Sequence, residues 1–86
     1  MSDAALIDRF LEMMAAERGA SHNTLAAYRR DLEQAAEWVK GRLVDADAGD
    51  LRKLMADYQS LAASSAARKL SALRQFFAFL LDEGER

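Results

Sequence analysis

The residues best placed to do chemistry lie between Ser64 and Leu81, in the stretch SSAARKLSALRQFFAFLL. It contains Arg68, Lys69 and Arg74 and no Asp or Glu. At about 100° per residue, Leu70, Leu73, Phe77 and Leu80, with Ala66 one step earlier, make a buried helical stripe. Ser64, Arg68, Ser71 and Gln75 then line the opposite face. Surface helices usually mix charges of both signs, so an acid-free polar face points to an anionic partner. Nucleic acid comes first, because Arg and Lys reach phosphates while Ser and Gln reach base edges. The plainer account is a solvated basic face that happens to lack acids.

Other chemistries find little support. The chain has no cysteine, which rules out a disulfide framework and a thiolate metal site. Its single histidine, His22, falls at a helix start and is read as solvated, since no partner for a catalytic base is identifiable. Glu33 and Glu37 sit one turn apart, where a solvated face explains them better than paired carboxylate chemistry. No Gly-rich phosphate loop and no HExxH sequence occurs. Trp38 and the Phe76, Phe77, Phe79 cluster read as packing groups. The wheel puts Phe79 on the polar side, where it would meet a neighbouring domain.

The elements that must position these residues follow from composition and spacing. Eighty-six residues make one domain, and a chain rich in Ala, Leu, Arg and Glu without proline is expected to be all-α. Ser2 or Asp3 caps a first helix whose core stripe is Leu6, Ile7, Phe10, Leu11 and Met14, and Gly19 ends it. Ser21 caps a second helix, expected to run to Lys40 with Gly41 as its stop. Leu25, Tyr28, Leu32, Ala35, Ala36 and Val39 form its core face, with Asn23, Ala26, Ala27 and Arg30 nearly opposite and Thr24 at the margin. A loop, GRLVDA, leads to Asp47, the cap of a third helix bearing Leu51, Leu54, Met55, Tyr58 and Leu61. Asp50 suits the dipole of its first turn. Ser64 or Ser65 caps the fourth helix, and Gly84 follows it. No apolar run approaches a membrane span, and the N-terminus lacks a signal pattern, so a cytoplasmic location is expected.

The net charge of −2 speaks mildly against nucleic acid, but its distribution matters more. Residues 1–18 carry four acids against two bases, as do residues 43–61. Residues 19–42 carry four bases against three acids, as do residues 62–86. Positive charge therefore sits in the second and fourth segments, which fits a bundle with one basic side.

Two stretches in series, ERGASHNTLAAYRRDLEQAAEWV and SSAARKLSALRQFFAFLLDEGE, carry a resemblance. The motifs are Glu17-Arg18-Gly19, then Ser21-x-Asn23-Thr24-x-x-x-Tyr28-Arg29-x-Asp31-Leu32, and Arg68-x-Leu70-Ser71-Ala72-Leu73-Arg74-x-x-Phe77-x-Phe79-Leu80. In this order and spacing the chain resembles the N-terminal core-binding (SAM-like) domain of the tyrosine recombinases, the phage-integrase family, nearest its Xer-type branch. The resemblance implies a compact four-helix orthogonal bundle over residues 1–86. That bundle would form one half of a clamp on duplex DNA, its second and fourth helices facing the major groove of a recombination half-site.

Carried over by position, Thr24, Ala27 and Arg30 would face DNA from the second helix, and Ser64, Arg68, Ser71 and Gln75 from the fourth. Arg29, Lys69 and Arg74 flank those stripes and would meet phosphates or nearby acids. Arg68 is expected to point into solvent on the side of Thr24 and Arg30. An ion pair with Asp31 or Asp57 would instead speak for a structural role. The family's catalytic set, including the nucleophilic tyrosine, belongs to a C-terminal domain outside residues 1–86, so neither Tyr28 nor Tyr58 is that nucleophile and this stretch is expected to have no enzymatic activity. The implied partners are double-stranded DNA, the catalytic domain and other recombinase subunits, with no membrane, metal or cofactor. The alternative reading is a helical protein–protein interaction module that docks through its Phe79 side.

Overall fold

A computed structural model describes residues 2–39 and 42–86. Four α-helices follow one another: α1 (Asp3–Arg18), α2 (His22–Trp38), α3 (Ala48–Tyr58) and α4 (Ala63–Asp82). A single 3-10 turn, Leu43–Asp45, lies between α2 and α3. No strand occurs among the described residues, so the chain is the expected all-α bundle.

Local signals account for most helix ends. The Ser2 hydroxyl accepts the Ala5 N–H at 3.2 Å, and the Ser21 hydroxyl accepts the Thr24 N–H at 3.1 Å, each satisfying a free donor of a first turn. Gly19 closes α1 at φ 60°, in the left-handed region that glycine enters without a Cβ clash. At α3 the Asp47 carboxylate accepts the Asp50 N–H at 2.8 Å, and the Asp50 carboxylate accepts the Asp47 N–H at 3.2 Å. Asp50 thus completes a reciprocal capping box besides suiting the dipole. Two expectations differ. The α2 helix ends at Trp38, and the expected stop at Gly41 lies outside the described residues. The α4 helix starts at Ala63 with no side-chain cap, so Ser64 and Ser65 fall inside its first turn.

The core is organised by α4, which packs against each of the other three helices. All five residues of the α1 stripe are buried. On α4, however, the centre is Phe76, fully buried and edge-on to Phe10 with ring centroids 5.5 Å apart. Phe79 is also buried, 5.7 Å from the Phe10 ring, and not on a polar side as the wheel suggested. Phe77 is half-buried and lies under the Arg86 guanidinium, 4.8 Å from the ring centroid. A helix covered on two sides buries a wide arc, so a single-stripe wheel places its edges wrongly.

The segment between α2 and α3 also belongs to the core. Leu43, Val44 and Ala46 are buried. The Asp3 carboxylate ties this turn to the start of α1, accepting the Leu43 N–H at 2.8 Å. On α3 only Leu54 and Tyr58 are buried, while Met55 and Leu61 remain exposed and Leu51 is half-buried. Trp38 is exposed as well. No helix among the described residues is long and apolar enough to cross a membrane.

Candidate nucleic-acid interface

Three polar residues expected on the outer face of α4, Arg68, Ser71 and Gln75, turn instead to the seam where α4 crosses α2. Asp31 lies one turn beyond Tyr28 on α2 and is only 2% exposed. Its Oδ2 accepts the Arg68 Nε–H at 2.8 Å, and its Oδ1 accepts Arg68 Nη2 at 2.9 Å. Lys69 Nζ donates to the same Oδ1 at 3.0 Å and to Gln34 Oε1 at 2.6 Å. A buried carboxylate is tolerated only when its lone pairs are filled and its charge is balanced. Two cations against one anion meet that demand and leave the cluster with a net charge of +1.

Arg68 therefore does not stand free in solvent as expected. It holds Asp31, the arrangement that had been set against a DNA-facing role. The pair is nevertheless one-sided. The Arg68 side chain is 40% exposed, and its contacts use only the Nε–Nη2 edge, with no partner at Nη1 among the described residues. Lys69 is different, with 13% of its side chain exposed and its ammonium held by Asp31 and Gln34.

A second network continues the seam. Gln75 Nε2 donates to the Tyr28 hydroxyl at 3.1 Å and to Ser71 Oγ at 2.9 Å, and the two hydroxyls lie 3.3 Å apart. Arg18 Nη1 donates to Gln75 Oε1 at 3.3 Å, which brings the end of α1 to the same line. Thr24 accepts from the Ser21 hydroxyl at 2.9 Å, Ala27 is half-buried, and Arg30 and Ser64 are exposed. Two expected residues lie elsewhere. Arg29 turns toward α1 and pairs with Asp8 at 2.7 Å. Arg74 lines an apolar groove between α3 and α4 with Leu51, Met55 and Phe77. Among the described residues neither Arg30 nor Arg74 has an ion-pair partner.

Sequence reasoning named Asp31 only as one of two alternative partners for Arg68, and did not see that it is buried and anchors the seam. Asp31 falls between the core positions Tyr28 and Leu32, where an acid must find a buried partner. The protonation states follow from this placement. Burial pushes the Asp31 carboxyl up, but the hydrogen bonds and charges of Arg68 and Lys69 outweigh it and hold the group below 3.8. Burial, with smaller effects from the Asp31 and Asp57 charges, pushes the Tyr58 hydroxyl up to about 12, so it stays neutral at physiological pH.

A folded value below the unfolded one stabilises the protein above the unfolded pKa and is lost as pH falls through the folded value. Thermal melts should therefore show a loss of stability as the pH drops below 3.8, and Asp31→Asn should lack that component. An equal acid response in both proteins would show that Asp31 is not held as described.

Four helices of this order with a polar α2–α4 seam define a small all-α domain. The chain belongs to the phage integrase N-terminal SAM-like domain family, which matches residues 7–84. It is 53% identical to a protein named tyrosine recombinase XerD from Rhizobium meliloti (strain 1021), over 96% of this chain and 28% of that protein. It is 55% identical to a tyrosine recombinase XerC from Erythrobacter litoralis (strain HTCC2594), over 96% of this chain and 27% of the relative. A tyrosine recombinase XerD from Brucella abortus biovar 1 (strain 9-941) is 50% identical over the whole chain and 29% of its own length. The chain thus spans under a third of these relatives. No solved structure gave a significant match.

Proposed function

We propose that this domain binds duplex DNA for a site-specific tyrosine recombinase in the cytoplasm. In this reading it lays the α2–α4 seam against the major groove of a recombination half-site. A separate catalytic domain of the whole protein closes on the opposite side and supplies the tyrosine that cleaves and rejoins the strand. Other recombinase subunits occupy the neighbouring half-sites. The observation that carries the reading is the net positive α2–α4 seam, where Arg68 keeps a free edge, with a further exposed, unpaired cation on α2 at Arg30. The names of the relatives agree with it.

The seam also refines the roles of the individual residues. Arg30 and the free edge of Arg68 are the cations best placed for backbone phosphates, with Arg29 available if its exposed pair with Asp8 opens. Ser64, Thr24 and Ala27 are left for the groove itself. Ser71 and Gln75 brace the crossing through Tyr28, and Lys69 is occupied by Asp31 and Gln34. The protein–protein alternative loses its anchor, because Phe79 is buried against Phe10.

About three phosphate contacts predict weak binding, with log affinity falling against log salt at a slope of roughly −3. A fluorescence-anisotropy titration of a short duplex at several salt concentrations measures this slope. A flat salt dependence, or no binding at low salt, would remove DNA as the partner.

A further inference from the structure

Resting on that DNA reading, we propose that Asp31 is a positioning residue for DNA binding. It clamps one edge of the Arg68 guanidinium so that the opposite edge is presented, already ordered, to a backbone phosphate.

A guanidinium has two edges able to form paired hydrogen bonds. Asp31 takes the side edge, Nε and Nη2, at 2.8 and 2.9 Å. The end edge, made of Nη1 and the second Nη2 hydrogen, remains unbound on a side chain that is 40% exposed. The carboxylate is itself fixed, being 2% exposed and bonded again by Lys69. An arginine free in solvent loses much rotamer entropy when it binds, whereas one already clamped loses little. Because Lys69 supplies a second cation, the clamp does not cancel the positive charge presented outward. Phosphate is the ligand chemistry that fits, since it takes a planar fork bidentately and lies at the rim of the groove. A guanidinium tied to a buried carboxylate lacks the reach for a base edge deeper in the groove. On this account Asp31, an acid, raises affinity for a polyanion.

The test is the affinity of the domain for a short random-sequence duplex at low salt, since a phosphate contact needs no cognate site. Asp31→Asn should weaken binding about tenfold, although removing a negative charge would by itself strengthen it. Arg68→Lys, which keeps the charge and loses the fork, should weaken binding to a similar degree. The double variant should be no worse than the weaker single one, because both changes remove the same contact. Amide NMR spectra establish that each variant is folded under the binding conditions. If Asp31→Asn does not fold, the wild-type protein carries the test through the Arg68 Nε–H resonance. That signal should persist in the DNA complex, and its loss would overturn the proposal. Binding by Asp31→Asn that equals or exceeds the wild type would also overturn it, as would losses that multiply in the double variant. A wild-type protein that binds no duplex at all would instead refute the DNA reading on which the proposal rests.

Discussion

Replacing Phe76 with alanine is expected to lower the melting temperature by at least about 12 °C. The ring is fully buried, edge-on to Phe10 and tilted against Phe77 at 6.0 Å, so no water fills the space left behind. Truncating a core phenylalanine costs about 3–5 kcal/mol, through lost burial plus the cavity that remains. A domain of this length holds on the order of 4–13 kcal/mol in total. In domains this small each kcal/mol shifts the midpoint by about 4–8 °C. Phe77→Ala is the internal control. Its ring is half-buried and partly covered by the Arg86 side chain, so its loss should cost under half as much. Calorimetry of the two variants therefore reads the register of α4 directly. Equal losses, or a larger loss at Phe77, would mean that α4 is rotated from the position described.

That register marks where the sequence stops being readable. Helix α1 was legible in full, because Leu6, Ile7, Phe10, Leu11 and Met14 form one stripe and both ends carry strong signals in Ser2 and Gly19. Helix α4 offers apolar residues at Phe76, Phe77, Phe79, Leu80 and Leu81, which several stripes can accommodate. What selects among them is Phe10 on another helix, and a helical wheel contains no such partner. The segment at Leu43 and Val44 was unreadable for a related reason. Three buried residues between charged ones look like a loop until the Asp3 carboxylate, forty residues earlier, holds their backbone.

The candidate interface divides along the same line. The composition of the stretch from Ser64 to Leu81 showed a basic polar face without acids, and residue spacing put Arg68, Ser71 and Gln75 on one side of it. Spacing within one helix does not show that the facing α2 carries a buried acid at the same level. Asp31 and Arg68 are 37 positions apart, and only the crossing of the two helices makes them a pair. The same crossing turned Ser71 and Gln75 toward Tyr28, while Arg29 lies against α1 and Arg74 in the groove between α3 and α4. Residue types along a helix thus identify what a face can bind, while the neighbouring helix decides which of those groups remain free to do so.

Replacing Arg68 with alanine should show how much the fold depends on the seam. Asp31 would keep its burial and lose two of its three charge-assisted hydrogen bonds, leaving Lys69 alone. Removing one partner of a buried ion pair typically costs about 3–5 kcal/mol, because the remaining charge is uncompensated. The value here should lie near the lower end, about 3 kcal/mol, since Lys69 stays and Arg68 is partly exposed. Two comparisons separate this charge effect from lost packing. Adding Asp31→Asn to Arg68→Ala removes the stranded charge and should recover part of the stability, whereas independent packing losses would add. The pH dependence should also weaken. With Lys69 as its only cation the folded carboxyl is held less far below its unfolded value, so the variant has less stability to lose in acid than the wild type. The gap between wild type and Arg68→Ala should then narrow as the pH falls below about 4. A gap that stays constant from neutral to acid pH, with no recovery in the double variant, would show that Arg68 stabilises the domain by contact alone and that Asp31 carries no charge to balance.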